Sequence, residues 1–493
     1  MKSRSVLVLG AGIAGITAAT HLAKAGLHVT VVEKDLLPGG RCGRFVRDGH
    51  RFDTGPTLFV MPLLYASEFR ALGVSLAERL ELLPVDPTYR LVFDDGSDLS
   101  LTSDMAKMRE QLDEIEPGSF DGLQRYMKAG ARHYRVVAEK MVDRDFRWPI
   151  DYLRIGALGL LARGNPLANH YRGMSAYFEA PRLKSAFTFQ DLYVGLSPFE
   201  APAILSLLSY TELAHGVWYP AGGMYSIVET LVDLARDAGV EFAFGSNVER
   251  IDTDTNTALG VVLTDGARLK ADVVVANADL PYVYEQLLPP DGIARSLSRK
   301  RFSCSAISFF WGLDTPYLAI PAHTLFVADD YHANFESIVR DHGLPANPSV
   351  YLHAPARLEA AAAPPGQDTL TAIVPVGHLR DDGAQDWDAL RDRAREHVFR
   401  RLRTIGFEGV RDHVKFEESR TPLTWATQYN LAKGATHGLS HTLTQMGYLR
   451  PRNRHHRYPN LYFAGASTHP GTGVPTAMSS GRLAARRIVA ELR

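Results

Sequence analysis

The sequence predicts an α/β fold, a parallel sheet interleaved with helices, into which a second, mixed α+β region is inserted. Three observations carry this reading: a strand, glycine turn and helix at the start of the chain, a glycine-rich return near Gly222, and an apolar strand with a further glycine turn and a closing helix at the end. Val6 to Leu9 is an unbroken apolar run, the pattern of a parallel strand covered on both faces. Gly10, Gly12 and Gly15 follow at the spacing GxGxxG. Gly10 permits a tight turn, Gly12 lets a pyrophosphate approach the backbone, and Gly15 lets the next helix pack closely on the strand. Ile16 to Ala25 reads as that helix, with its free N–H groups and positive dipole end turned to the phosphates, and Gly26 suits the left-handed position that ends it. His28 to Val32 reads as the second strand. Glu33 stands at its end, 18 residues past Gly15, where a carboxylate accepts hydrogen bonds from the ribose hydroxyls of an adenine dinucleotide. An acid there disfavours a 2′-phosphate and argues against NADP. The unit therefore reads as a Rossmann-type dinucleotide site. A secretory signal peptide beginning with Lys2 and Arg4 is the competing reading, and three spaced glycines followed by an acid-terminated strand argue against it.

The stretch PGGRCGRFVRDGHRFDTGPT, Pro38 to Thr57, bears on which dinucleotide binds. Gly39 and Gly40 give a second flexible turn just past the ribose site, and Arg41 brings a guanidinium to where diphosphate charge needs neutralising. A nicotinamide dehydrogenase has no use for such a residue, so FAD is the expected cofactor.

Four motifs then carry a family likeness: LGAGIAG, GGR followed by FDTGPT, GVWYPAGGMYSIVETL from Gly216 to Leu231, and NLYFAGASTHPGTGVP from Asn460 to Pro475. On these the sequence resembles the FAD-dependent carotenoid desaturases of the phytoene desaturase type, relatives of the amine oxidases, over essentially its whole length. VMPLLY (Val60 to Tyr65), FSCSA (Phe302 to Ala306) and FAGASTHPG lean the resemblance toward bacterial desaturases of thirty-carbon chains, the dehydrosqualene or diapophytoene type, while forty-carbon enzymes share much of the pattern. Two departures stand out. His50 replaces a phenylalanine common in the family, and PTAM from Pro475 replaces PGVV.

The resemblance implies an amine-oxidase-like architecture with a discontinuous FAD-binding domain at 1–75, 215–290 and 415–493, and a substrate-binding, membrane-contacting domain at 76–214 and 291–414. It implies FAD contacts from Gly10, Gly12, Ile13, Ala14, Gly15, Glu33, Lys34, Gly40, Arg41, Gly55, Pro56 and Thr57, from Val248 at the adenine with Asn277 to Asp279 beside the phosphates, and from Gly465, Ala466, Thr468, Gly473, Val474 and Pro475. The helix after Gly473 would aim N–H groups at the flavin ring and stabilise the negative charge of its reduced form. His469 would lie near that ring, making a structural hydrogen bond or moving a proton. The implied chemistry is desaturation of a linear carotenoid precursor: hydride goes to flavin, a neighbouring carbon loses a proton, and oxygen or a quinone finally takes the electrons. A carotenoid isomerase, saturase or terminal oxygenase would use the same FAD site. A non-catalytic FAD-containing lipid-binding protein is the rival from another class.

Composition narrows the partners. At 493 residues, two or three domains are expected. Fifty-four basic against fifty-five acidic residues leave no global field that would draw nucleic acid. Cys42 and Cys304 cannot make a disulfide framework and fit a reducing cytoplasm. Cys42 beside Arg41 is read as a buried filler rather than a reactive thiol. No apolar run reaches the roughly 18 to 20 residues that span a bilayer. WPIDYLRIGALGLLARG, Trp148 to Gly164, reads equally as a core helix or as a segment lying in a membrane interface. The resemblance favours the second, and with it a place at the inner face of the cell membrane, because a lipid-soluble polyene must be drawn from a bilayer.

The rest of the chain is read more briefly. Tyr89 to Leu101 is a hairpin around Asp95-Gly96, and helices are expected from Met105 to Ile115 and from Phe120 to Met141. The aromatic-rich Pro181 to Tyr210 stretch reads as plain core or as a tunnel lining; the acids of this region, Glu179, Asp191 and Glu200, would each be a proton acceptor if facing the tunnel, and are expected instead to be solvated. Tyr225 to Ala238 is a helix, and Ser305 to Asp314 and Thr369 to Leu379 are buried strands. RPRNRHHR, Arg450 to Arg457, is expected to be a solvated basic loop, and no metal site is expected there because adjacent histidines tend to point apart.

Overall fold

The computed structural model describes residues 4–145 and 168–493; the Trp148 to Gly164 segment lies outside the described residues. Strand β1 (Ser5–Leu9), helix α1 (Ile13–Lys24) and strand β2 (His28–Val32) form the expected parallel unit. The helix begins three residues earlier than its apolar run suggests, because Gly12 serves as its extended N-cap. Gly26 takes φ +89° at its end. The parent sheet has five parallel strands in the order Leu461–Phe463, Val273–Ala276, β1, β2, Glu241–Ala243, so the first and last parts of the chain lie side by side.

Small residues decide how the helices meet this sheet. A methyl on Gly481 of the final helix, Val474–Leu492, would fall 2.3 Å from the Ala14 carbonyl oxygen, so that helix and α1 touch backbone to backbone. The Ser226–Asp237 helix buries Ile227, Val228, Leu231, Val232, Leu234 and Ala235 along one stripe, the 3.6-residue period its sequence shows.

A seven-stranded sheet forms the second region, in the order Val414–Arg420, Ser305–Leu313, Asp368–Val376, Val350–His353, His323–Phe326, Tyr89–Val92, Asp98–Leu101. Because side chains alternate along a strand, Ile307, Phe309, Trp311, Val350, Leu352, Ala372 and Val374 pack with Ala394, Val398 and Leu402 of the Trp387–Thr404 helix. Tyr89, Leu91, Leu325 and Tyr351 pack instead with the aromatic helical region between Ser119 and Leu213. The predicted hairpin is thus the edge of this sheet. Val414–Arg420 also belongs to it, so the chain crosses back after Arg420 rather than at 415. Leu82–Val85 pairs with Val217–Pro220, a small ribbon joining segments assigned to different domains.

Helix Pro62–Ala71 is tied to the final helix by a buried pair, Glu68 with Arg482, whose Nε and Nη2 donate to the two carboxylate oxygens at 2.8 Å each. Among the described residues, no helix is long and apolar enough to cross a membrane.

Candidate active site

The glycine turn closes against its neighbours more tightly than side chains would allow. Gly10 has φ +101° and its N–H donates to the Val32 carbonyl at 2.8 Å. A Cβ on Gly15 would lie 2.2 Å from the Gly10 carbonyl oxygen, and one on Gly12 would lie 2.7 Å from Asn277 Oδ1. Asn277 in turn donates from Nδ2 to the Ala464 carbonyl at 2.8 Å. One amide side chain therefore locks the first turn to the strand end near the other terminus. Helix α1 has no side-chain cap and no acid in its first turn, so the N–H groups of Ile13, Ala14 and Gly15 are left as an anion-binding end.

Glu33 is buried at the tip of β2. Its carboxylate accepts from the backbone N–H of Ala11 at 2.7 Å and of Asp35 at 3.0 Å. Burial pushes its pKa up, opposed by those two hydrogen bonds. The second turn comes next: Gly39 N–H donates to the Ala11 carbonyl at 2.8 Å, and Gly40 has φ +54° with its open side 3.7 Å from Gly12 Cα. Half-buried Arg41 donates to the Thr436 carbonyl at 2.8 Å and faces Asp279; desolvation pulls its pKa down. A Cβ on Gly55 would lie 1.9 Å from the Arg41 carbonyl oxygen, which brings Pro56 and Thr57 up against the same turn. Arg41, Asn277, Asp279 and the Phe463 to Thr468 segment line one cleft. A roomier cleft between Leu344 and the Trp387–Thr404 helix contains none of these residues.

The closing loop supplies the other wall. Gly465 and Gly473 have φ +139° and +113°, and the final helix starts at Val474 with Pro475 in its first turn. Thr468 Oγ1 donates to the Gly465 carbonyl at 2.9 Å, and the Ala466 carbonyl accepts from Arg450. His469 is buried, and desolvation lowers its pKa to about 4, so it is a neutral imidazole.

The structure thus brings Gly10, Gly12, Ile13, Ala14, Gly15, Glu33, Gly40, Arg41 and Gly55 near Gly465, Ala466 and Thr468; Gly473, Val474 and Pro475 lie farther along, at the start of the final helix. Lys34 is engaged elsewhere, on Asp35 at 3.0 Å and the Gln428 carbonyl at 2.6 Å. Val248 opens the strand that follows Ser246, whose N–H donates to the Glu33 carbonyl at 2.8 Å. Thr57 points the other way, its hydroxyl 2.6 Å from the Tyr351 hydroxyl on the seven-stranded sheet. It marks where the two regions face each other.

Several expectations are corrected. Asp191 is not solvated: it is fully buried against His170 Nδ1 at 2.9 Å, in a helical cap too apolar to leave a carboxylate unpaired. Glu179 is exposed, and Glu200 pairs with Arg301 at 2.7 Å. The Arg450 to Arg457 segment is only partly solvated: Arg452, His456 and Arg457 are exposed, whereas Arg450, Asn453 and His455 are buried. Arg450 is buried and donates to the carbonyls of Leu439, Ser440, Gln445, Ala466 and Thr468, spending its fork on backbone acceptors that the closing loop leaves open. His455 and His456 do not point apart but stack at 4.7 Å, with Asp291 close by. His455 Nδ1 accepts from the N–H groups of Arg457 and Tyr458 at 3.0 Å each, which fixes the proton on Nε2 and takes that atom out of use as a ligand. His50 is buried between Thr369 Oγ1 and Gln367 Oε1, 3.0 Å from each, so it ties the Arg44–Asp53 hairpin to the second sheet. Cys42 is a buried filler whose thiol pKa is pushed up by burial.

Sequence reasoning overlooked Asp53, Asn277 as a lock, and Glu212. Asp53 accepts from the N–H groups of Met224 and Tyr225 at 2.8 and 3.1 Å, bracing the turn between the second glycine pair and the Ser226–Asp237 helix. The signal for it was available in the pairing of FDTGP with the sharp AGGM turn.

These residues fit FAD. The uncapped helix end and Arg41 suit the diphosphate, Glu33 suits the ribose, and the glycines leave room where any Cβ would intrude. The comparisons agree. The family "Flavin containing amine oxidoreductase" matches residues 13–489. A phytoene desaturase of Fusarium fujikuroi is 41% identical, over 99% of this chain and 89% of its own length. A zeta-carotene-forming phytoene desaturase of Myxococcus xanthus is 40% identical, over 99% and 94%. The 4,4'-diapophytoene desaturase (4,4'-diaponeurosporene-forming) of Staphylococcus aureus is 30% identical over 99% of each chain. Among solved structures, cyclohexylamine oxidase from Brevibacterium oxydans shares the fold with a TM-score of 0.61 and 17% identity, over 99% of each chain. This chain belongs to the flavin-containing amine oxidoreductase family, among the carotenoid desaturases.

Proposed function

We propose that this protein is an FAD-dependent desaturase of a linear carotenoid precursor, with phytoene as its substrate. The observation that supports it is that Asn277 lies against Gly12 and Gly15 and bonds the Ala464 carbonyl, beside a cleft lined by Arg41, Asn277, Asp279 and the Phe463 to Thr468 segment. The family resemblance leaned toward thirty-carbon substrates. The forty-carbon reading is preferred because the phytoene-named relatives from Fusarium and Myxococcus share 41% and 40% identity, against 30% for the diapophytoene enzyme.

Bound FAD supplies the hydride acceptor for an allylic C–H bond. The chain's own residues position and exclude. The helix end at Gly12 and Arg41 would hold the diphosphate, Glu33 would hold the ribose, and the N-terminus of the final helix would supply positive potential to stabilise the reduced flavin. Apolar burial at about 25 cal/mol per Å² would supply the polyene's binding energy. A lipid-soluble substrate further supports a protein working peripherally at the inner face of the cell membrane, with oxygen or a quinone as the final acceptor. Vesicle flotation of the purified protein tests the first, and reoxidation under each acceptor tests the second.

The deciding experiment is expression in bacteria that make either phytoene or dehydrosqualene, with pigments read by absorbance and mass. The expected result is coloured product in the phytoene cells, two hydrogens lighter per double bond made. Colourless cells in both backgrounds, with folded flavin-loaded protein present, would refute the reading. Product of unchanged mass would indicate an isomerase instead.

A further inference from the structure

Desaturation sheds a proton as well as a hydride, and the buried acids of the described residues can be sorted by what holds them. Six are buried: Glu33, Glu68, Asp191, Glu212, Asp279 and Asp368. Glu68 and Asp368 pair with Arg482 and Arg357. Glu33 and Asp279 accept backbone N–H groups, and Asp191 is held by His170. Glu212, on the Leu207–His215 helix, has neither a cation nor a backbone donor: Tyr193 donates to Oε1 at 2.6 Å and Gln190 Nε2 to Oε2 at 3.1 Å. A carboxylate so placed is costly unless it is meant to take a proton.

Its partners lead to the face where the two regions meet. Since the Tyr193 hydroxyl gives its hydrogen to Glu212, the Tyr89 hydroxyl beside it must donate to Tyr193. The Tyr89 ring lies 6.2 Å from the Tyr351 ring and 5.8 Å from that of His323. Tyr351 hydrogen-bonds both His323 Nδ1, at 2.7 Å, and Thr57 on the flavin-side loop.

We propose that Glu212 is the terminal acceptor of the proton lost by the substrate, reached through Tyr193 and Tyr89. The proposal rests on the desaturase reading above. FAD, when bound, would supply the acceptor for the hydride of one C–H bond. The neighbouring C–H bond breaks, its electron pair becomes the new C=C bond, and its proton passes to the Tyr89 oxygen while the Tyr89 proton moves to Tyr193 and the Tyr193 proton to Oε1. Burial supports this role by raising the Glu212 pKa to about 7, close to where a base is most effective at neutral pH. The titratable groups facing Glu212 are Tyr193, Tyr89 and Tyr126, whose own pKa values burial drives up, so they remain neutral donors.

The test compares wild type, Glu212→Gln and Tyr193→Phe as FAD-loaded proteins, measuring flavin content, KM for phytoene in vesicles, and kcat against pH. The wild-type rate is expected to rise with pH through about 7. Glu212→Gln should keep its flavin and KM, lose at least about 100-fold in kcat, and lose that pH limb; Tyr193→Phe should change in the same direction. Wild-type kcat and pH profile in Glu212→Gln would overturn the proposal, as would a loss of kcat that merely tracks lost flavin or raised KM. If Glu212→Gln does not fold, infrared spectra of wild type during one anaerobic turnover decide: a buried carboxylic acid band that appears in wild type and is delayed in Tyr193→Phe supports the relay, and no band refutes it. No product from wild type would instead sink the desaturase reading itself.

Discussion

Gly15→Ala tests the geometry of the glycine turn. A methyl there would sit 2.2 Å from the Gly10 carbonyl oxygen and 2.8 Å from Asn277 Oδ1. Restoring ordinary contact requires α1 to lift by about 1 Å, because the obstacle is backbone and overpacking is relieved only by such shifts. Two terms oppose each other in stability: alanine gains about 1 kcal/mol of helix propensity over glycine, and overpacking costs about 1 to 3 kcal/mol, a net loss of about 0 to 2 kcal/mol. The same lift draws the Ile13, Ala14 and Gly15 N–H groups away from the diphosphate. One charge-assisted hydrogen bond lost, about 2 kcal/mol, weakens FAD by about 30-fold. Gly26→Ala is the control: it meets no atom within 4 Å but has φ +89°, so it should cost about 1 kcal/mol of stability and leave FAD affinity alone. Flavin-fluorescence titration of deflavinated protein gives the affinities, and thermal unfolding gives the stabilities. A Gly15→Ala protein that binds FAD as tightly as wild type would show that α1 does not carry the diphosphate.

Three further outcomes follow from the same geometry. Glu33→Ala strands the Ala11 and Asp35 N–H groups and removes the ribose acceptor, so flavin retained through purification should fall at least about tenfold; full occupancy would disprove the ribose assignment. Arg482→Met leaves Glu68 buried without its cation and should cost about 3 to 5 kcal/mol in denaturant unfolding, much of it recovered in the double variant with Glu68→Leu; equal losses in both would mean that packing, not charge, is at stake. Burial lowers the pKa values of His21, His353, His378, His437 and His469 to about 4. Their unfolded forms bind protons below about 6.5 while the folded forms do not, so stability is full above that pH and is lost as pH falls toward 4. The melting temperature should drop steeply across that window, and a flat profile would contradict their burial as neutral rings.

How much of this was legible in the sequence depends on range. The βαβ unit, the Asp95-Gly96 hairpin and the final helix were readable because their signals are local: an apolar run, a glycine at a forced φ, a 3.6-residue period. Val414–Arg420 was misassigned because a strand's sheet is set by its partner, Ser305–Leu313, which lies about a hundred residues away in sequence. Arg450 read as surface for the same reason. Nothing local says that five carbonyls, from Leu439 to Thr468, converge on its guanidinium. Asp191 lies in the aromatic stretch and Glu212 just past its end, and only the fold gives one a histidine and the other a tyrosine partner.

The most direct test of the account is a single anaerobic turnover: phytoene in vesicles is added to the purified protein, and flavin absorbance is followed while the product is weighed by mass spectrometry. The account predicts a yellow protein that bleaches in step with the appearance of a polyene two hydrogens lighter. A protein that keeps its colour unchanged in the presence of phytoene, or that purifies without flavin and takes none up, would contradict it.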